Sequence, residues 1–260
     1  MNPRPLKRLG QHFLKDPRTV QRIVQALDPK SDETIVEIGP GTGALTAALL
    51  ERAGRVVAIE FDENLAPLLR DRFSGHSNFV LVMGDALTTD FCAAIQPATR
   101  ARLAANLPYN IASPLVLRLL EEVETLRTLR FMVQLEVARR MAAERGTKDY
   151  AAYAVLAQLL AWVRISHRVP PTVFDPAPRV HSAVVEMERR EPPNDYVGIR
   201  RLVLGGFRSR RKRLVNNLPE PARGPAPRVL ESLGYGPNAR AEELAPEDFA
   251  ALYASLSWAL

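Results

Sequence analysis

From about Glu33 onward, short β-rich runs alternate with helix-forming runs, and that alternation restricts the chain to a parallel, layered α/β sheet. Strands are expected at 34–38, 55–61, 79–83, 102–105 and 129–134, with helices at 44–53, 63–72, 114–123 and 136–144 around them. A helix at 150–160 then leads into two more β-like runs, 162–169 and 182–188. The loop between those runs is short, so they are expected to pair antiparallel. The fold class is therefore α/β, with five parallel strands plus a terminal antiparallel hairpin. At Glu191-Pro192-Pro193-Asn194-Asp195 the alternation stops, and only helical patterns follow, around 197–218, 227–233 and 246–256. Two domains are expected: a large one over residues 1–190 and a small helical one over 191–260.

Composition narrows the partners. The chain has 260 residues and a net charge of +6, with arginine far outnumbering lysine. Arginine's planar fork suits phosphate, which favours a polyanionic partner. The single cysteine, Cys92, excludes an intrachain disulfide and is expected to be a packing thiol in a reducing compartment. The basic start (Arg4, Lys7, Arg8) has no apolar stretch behind it, and the longest apolar run, 151–163, is broken by Gln158. A cytoplasmic protein, monomeric, without a membrane partner or a metal site, is the expectation.

The chemistry concentrates at strand ends. Asn106-Leu107-Pro108-Tyr109 follows an apolar β-run and precedes a helix. The Asn106 carboxamide oxygen and the Leu107 carbonyl can accept hydrogen bonds from an exocyclic amine, Pro108 stiffens the turn, and Tyr109 offers a stacking face. That is a pocket for the amino group of a nucleobase. Upstream, Gly39-Pro40-Gly41-Thr42-Gly43 follows a buried strand and opens a helix, a turn in which the backbone can approach a ligand. Read as Gly39-x-Gly41-x-x-Ala44, it also satisfies the dinucleotide fingerprint. Glu60 ends the next strand about 20 residues later, where a carboxylate binds ribose hydroxyls in both cofactor classes. Gly84-Asp85-Ala86 ends the third, and there Asp85 can accept from an adenine amine, a pattern frequent in methyltransferases. Four successive strand ends thus carry polar residues toward one crevice.

These residues together closely resemble the bacterial small-subunit (16S) rRNA adenine N6,N6-dimethyltransferases, and more distantly the erythromycin-resistance 23S rRNA methylases and mitochondrial dimethyltransferase-like factors. The resemblance rests on residues 9–14 (Leu9-Gly10-Gln11-His12-Phe13-Leu14), 36–43, 106–111, 170–185 and the basic run Phe207-Arg208-Ser209-Arg210-Arg211-Lys212 with Asn217-Leu218. It implies a Rossmann-like S-adenosylmethionine-dependent methyltransferase sheet, with cofactor contacts at Gln11, His12, Leu14, Gly39, Gly41, Glu60, Asp85, Ala86 and Asn106. The implied substrate is a pair of adjacent adenines in a hairpin loop near the 3′ end of 16S rRNA, in the small ribosomal subunit or its precursor. The chain departs from the family pattern at Leu135, where lysine is usual, at His181, where Asp or Asn is common, and at Ala151, which replaces a glycine.

On the RNA side, Tyr109 is expected to stack on the extruded base and Phe174 to form the opposite wall. Arg208, Arg210, Arg211, Lys212 and Arg213 put five cations around an expected helix and are read as phosphate contacts, although such runs are often only solvated faces. His167 is expected to have no catalytic role. Three alternatives stay open: an NAD-linked oxidoreductase, a 23S rRNA methylase, and an RNA-binding assembly factor without turnover.

Overall fold

The computed structural model describes residues 5–6 and 10–260. Arg4, Lys7, Arg8 and Leu9, named above, lie outside the described residues. Among the described residues nine strands run in chain order: β1 (Phe13–Leu14), β2 (Thr34–Ile38), β3 (Arg55–Glu60), β4 (Phe79–Met83), β5 (Ala101–Asn106), β6 (Leu126–Gln134), β7 (Ala161–Val169), β8 (Phe174–Asp175) and β9 (Ser182–Arg189). Seven of them form one sheet in the order β4-β3-β2-β5-β6-β9-β7, and β1 pairs with β8 separately. The pairs from β4 through β6 are parallel, and β9 lies antiparallel to β6. The sheet class expected from the sequence is the one observed.

The strand order reverses between β2 and β5. From β2 the chain winds outward through β3 to β4, then returns to β5 and winds the other way. Loops leaving neighbouring strands on the two sides of such a switch point diverge and open a crevice. The strands beside it lie inside the fold: all five residues of β2 are buried, Glu37 among them.

The helices in the first half are α1 (Pro17–Leu27), α2 (Ala44–Leu50), α3 (Ala66–Arg72), α4 (Phe91–Ile95) and α5 (Ala112–Glu122). Helix α1 precedes the alternating region, yet its signals are present in the chain. Asp16 caps it by accepting from the Thr19 backbone N–H at 2.8 Å, Pro17 opens it, and Val20, Ile23, Val24 and Leu27 form one buried face. By contrast β1, β8 and α4 are too short to carry a period. Strand β6 begins three residues before its expected start: Arg127 and Thr128 separate Leu126 from the apolar run that the pattern marks. In the fold, Glu186 and Glu188 on β9 answer Arg130, and the Thr128 hydroxyl donates to Glu188 at 2.8 Å. Cys92 is exposed on α4 rather than packed in the core, which corrects the expectation for it.

The chain divides into two compact units. One comprises residues up to Ala138 with Val163–Arg189; the other comprises Arg139–Trp162 with Arg190–Leu260. The second unit is therefore larger than the helical region after residue 190: it also takes in Arg139–Trp162, which holds α7 (Ala152–Leu160), the helix after α6 (Leu135–Met141). Helix α7 is apolar nearly all round and packs against α8 (Tyr196–Gly206) and α11 (Pro246–Leu256), and the Tyr150 hydroxyl donates to the Leu244 carbonyl at 2.8 Å. The short helices α9 (Glu220–Arg223) and α10 (Ala226–Ser232) complete this unit.

The helix expected over 197–218 stops at Gly206. A Cβ there would lie 2.8 Å from Leu214, and the Asn217 amide donates to the Gly206 carbonyl at 2.6 Å, closing the helix end. The chain then makes 3₁₀ turns at Phe207–Ser209 and Leu214–Asn217.

Candidate active site

The loops leaving β2, β3, β4 and β5 and the segment Gly10–Leu14 wall one cavity of about 210 Å3 in the first unit. Gln11, His12, Leu14, Gly39, Gly41, Glu60, Asp85, Ala86, Asn106, Leu107, Pro108 and Tyr109 all line it. Residues nearly 100 positions apart in the sequence are thereby brought to one place, at the switch point.

At the floor, Gly41 adopts φ 59°, and a Cβ there would come within 2.9 Å of the Phe13 ring. Its backbone N–H donates to Glu60 Oε2 at 3.3 Å. The other Glu60 oxygen accepts from the Phe61 and Asp62 backbone N–H groups at 2.9 and 2.8 Å. Burial raises the proton affinity of this carboxyl, and the three N–H donors work against that. Asp85 Oδ1 accepts from the Leu87 backbone N–H at 2.8 Å, so one oxygen shapes the turn. Gln11 acts as a latch: its amide donates to Asp62 at 2.9 Å and its oxygen accepts from the Leu6 N–H at 2.7 Å.

The opposite wall is organised by Asn106. Its Nδ2 donates to the His12 carbonyl at 3.0 Å, which fixes which way the amide faces. Asn106 Oδ1 is then buried with no hydrogen-bond partner. An orphaned buried acceptor costs about 1–3 kcal/mol, so a bound donor is the economical occupant. Beside it, the Tyr109 ring stacks on His12 with centroids 5.4 Å apart and planes 30° from parallel. His12 Nδ1 lies 2.7 Å from the Pro176 carbonyl, a contact in which the nitrogen donates. At the far end, the Tyr109 hydroxyl lies 2.7 Å from Ser182 Oγ, and burial pushes its pKa up, so the ring stays neutral. This arrangement fits an exocyclic amine at Asn106 and a flat ring nearby.

The model of the ribosomal RNA adenine dimethylases matches residues 4–257. The chain belongs to that family. A "Ribosomal RNA small subunit methyltransferase A" from Rubrobacter xylanophilus is 58% identical over 98% of this chain and 96% of its own length. A protein of the same name from Magnetococcus marinus is 43% identical, covering 95% and 90% respectively. Among solved structures, a dimethyladenosine transferase from Plasmodium falciparum superposes with TM-score 0.82 at 26% identity, over 95% of this chain and 98% of that one. The 23S rRNA methyltransferase ErmE gives 0.74 at 28%, over 94% and 99%. Membership in a methyltransferase family sets aside the dinucleotide reading of the glycine loop.

Three residues that the family motifs alone did not mark as site residues join the cavity or support it. Phe61 is 52% exposed and lines the wall beside Glu60, a flat apolar face that its place at a strand end did not advertise. Ser182, fully buried on β9, holds the Tyr109 hydroxyl from 73 residues away. Ser182→Ala removes that partner, and net hydrogen-bond energies of about 0.5–1.5 kcal/mol translate to roughly a 2–10-fold loss in methylation efficiency. Cofactor affinity should be unchanged; steady-state rates beside calorimetry check both.

Glu37, the third, sits in β2 within the glycine motif. It is 1% exposed, lines the cavity, and has an unpartnered buried oxygen. Burial pushes its carboxyl up to about 8, with Glu60 adding to the rise. Below the ordinary value of 4.5 both folded and unfolded chains are protonated, so no stability is lost there. Between 4.5 and about 8 only the folded chain keeps the proton, and stability falls as pH rises, by up to about 1.4 kcal/mol per pH unit. Glu37→Gln should remove that slope. Urea unfolding at about pH 5 and about pH 8 should show the variant gaining on wild type at the higher pH.

Other expectations are relocated. Phe174 is 1% exposed, pairs with Leu14 in the β1–β8 ladder and packs in the core cluster with it. It anchors its loop and forms no wall of the cavity. In the second unit, the basic run lies in turns rather than around a helix. Arg210 is committed internally, to Glu242 and to the Thr147 and Lys148 carbonyls, and Arg213 donates to Asn238 at 2.8 Å. Arg208, Arg211 and Lys212 are exposed. Two of the departures from the family pattern meet: the Leu135 N–H donates to the His181 carbonyl at 2.9 Å. Ala151 has φ −149°, extended backbone in which no glycine is needed. His167 lies on β7, outside the cavity lining.

Proposed function

We propose that this protein uses S-adenosylmethionine to dimethylate the N6 amines of two adjacent adenines in a hairpin loop near the 3′ end of 16S rRNA, within the small subunit or its precursor. The observation that carries this reading is the buried, unpartnered Asn106 Oδ1 beside the held Tyr109 ring. The donor set fits the methyl donor: Gly39 and Gly41 supply close backbone, Glu60 the ribose acceptor, and Asp85, Ala86 and Phe61 an adenine site. Gln11, His12 and Leu14 close it over. When bound, S-adenosylmethionine supplies a methyl group on a sulfonium, so no acid is required for departure.

The difficulty lies with the adenine amine, whose lone pair is delocalised into the ring. Asn106 Oδ1 and the Leu107 carbonyl, accepting from its two hydrogens, favour a tetrahedral nitrogen with a localised lone pair. They also stabilise the positive charge that develops there, and the released proton passes to water. No Lys or His is assigned the role of a base. The target base has to leave its stack, and stacking on Tyr109 offsets about 1–3 kcal/mol of that. Arg208, Arg211 and Lys212 serve as phosphate contacts, whereas Arg210 is occupied within the protein.

Mass spectrometry of unmethylated small and large subunits, each incubated with the protein and S-adenosylmethionine, tests the reading. Two dimethylated adenines in 16S rRNA are expected. Modification confined to 23S rRNA would transfer the assignment to the large subunit, and none in either would leave an assembly factor.

A further inference from the structure

The cavity of the first unit carries charge of one sign. Glu37 in β2, Glu60 at the end of β3 and Asp85 just after β4 line it, and these three strands are neighbours in the sheet. Among the described residues, no lysine or arginine lines it. Two of the carboxyls are engaged: Glu60 accepts from three backbone N–H groups and Asp85 from one. Glu37 differs. It is 1% exposed, and its Oε2 is buried with no hydrogen-bond partner.

Nothing around Glu37 supplies a compensating cation. Its register partner on β3 is Ala58, and α2 has no ionisable residue. The Thr46 hydroxyl on α2 is itself buried without a partner. Helix α1 turns Thr19, Val20, Ile23, Val24 and Leu27 inward, none of them charged. The ionisable side chains that share the cavity with Glu37 are Glu60, Asp85, His12 and Tyr109. Burial, with Glu60 adding to it, keeps the proton on Glu37 up to about pH 8.

The two ligands of a methyl-transfer cycle differ in charge. In S-adenosylmethionine the ammonium and carboxylate cancel, and the sulfonium leaves one net positive charge. S-adenosylhomocysteine, which remains after the methyl group has left, has lost that charge. An opposite charge brought close to a buried carboxyl favours its ionised form.

We propose that Glu37 reads this difference: it is protonated in the free protein, releases its proton to water when S-adenosylmethionine binds, and keeps it when S-adenosylhomocysteine binds. The proposal rests on the reading that the protein uses S-adenosylmethionine. The carboxyl O–H bond breaks, the proton goes to solvent, the electron pair stays on Glu37, and no other bond changes. Donor and product are then told apart by charge, where a difference of one methyl group gives a pocket little to discriminate by shape.

Calorimetry of the full-length protein tests this, each ligand being titrated at about pH 7 in buffers of different ionisation enthalpy. The dependence of the observed heat on the buffer counts the protons released. Close to one is expected with S-adenosylmethionine and close to none with S-adenosylhomocysteine. Affinity for S-adenosylmethionine should accordingly rise by up to about tenfold between about pH 6 and about pH 7, while that for S-adenosylhomocysteine stays level. Both ligands keep their α-amino groups largely protonated in that range, the ordinary value being about 7.7–8.0. Glu37→Gln should abolish the proton release and flatten the pH dependence. That variant leaves in place His12, the other cavity residue of a type that titrates near neutral pH. Infrared difference spectra of the wild type give a second readout: the carbonyl band of a protonated carboxyl should vanish on adding S-adenosylmethionine and persist with S-adenosylhomocysteine.

Equal proton release with both ligands, or none with S-adenosylmethionine that binds normally, overturns the proposal. So does release that persists in folded Glu37→Gln protein, which assigns the proton to another group. Should that variant not fold, the infrared comparison decides, and a carboxyl band that survives S-adenosylmethionine overturns the proposal. If the wild type did not bind S-adenosylmethionine at all, the functional reading would fall first and this inference with it.

Discussion

Asn106→Ala is expected to slow methyl transfer by roughly two to three orders of magnitude, the range for losing one preorganised polar partner of a developing charge. Two structural facts set the size of the effect. Asn106 Oδ1 is buried without a protein partner, and the amide is oriented by its own bond to the His12 carbonyl at 3.0 Å. Alanine removes both, so the target amine loses one of two acceptors and the His12 carbonyl loses its donor. RNA affinity should barely change, because phosphate contacts dominate it. Single-turnover transfer of a labelled methyl group, beside a binding isotherm, separates the two effects. Near-wild-type turnover would sink the mechanism.

Glu60→Ala is expected to weaken S-adenosylmethionine binding by about 1.5–3 kcal/mol, the range for hydrogen bonds to a charged group. That corresponds to roughly a 10–150-fold rise in dissociation constant. The carboxylate holds the Gly41, Phe61 and Asp62 N–H groups together, so its loss also loosens the glycine turn that approaches the cofactor. Asp85→Ala acts on a different part, and should lower discrimination for the adenine moiety more than overall affinity. Calorimetry with both variants checks this pair; unchanged affinity in both would mean that the cofactor crevice has been misplaced. The chemical step at saturating cofactor should be far less affected by Glu60→Ala than by Asn106→Ala.

Some of this was readable in the chain itself. The sheet class, the glycine turn, Glu60, Asp85 and the Asn106–Tyr109 turn are each short, local patterns at the end of a strand. A parallel sheet places successive strand ends along one edge, so local motifs at those ends converge without further information. Helix α1 was legible too, from Asp16, Pro17 and the spacing of Val20, Ile23, Val24 and Leu27. It lies before the strand–helix alternation starts.

What local patterns do not encode is which side chains meet across long separations. Phe174 looked like a pocket wall in a proline-rich loop, but β1–β8 pairing pulls it into the core at 1% exposure. The basic run looked uniform, yet Glu242 and the backbone claim Arg210, while Arg201 and Arg223 join Arg208 and Lys212 around a cavity. His12 meets Pro176 across 164 residues, and Tyr109 meets Ser182 across 73. The sequence by itself determined the sheet and the strand-end chemistry, because period and turn residues act over a few positions. Only the tertiary structure decided which acceptor is left unpaired, which ring is held and which cations are committed within the protein, because each depends on a partner supplied by a distant part of the chain.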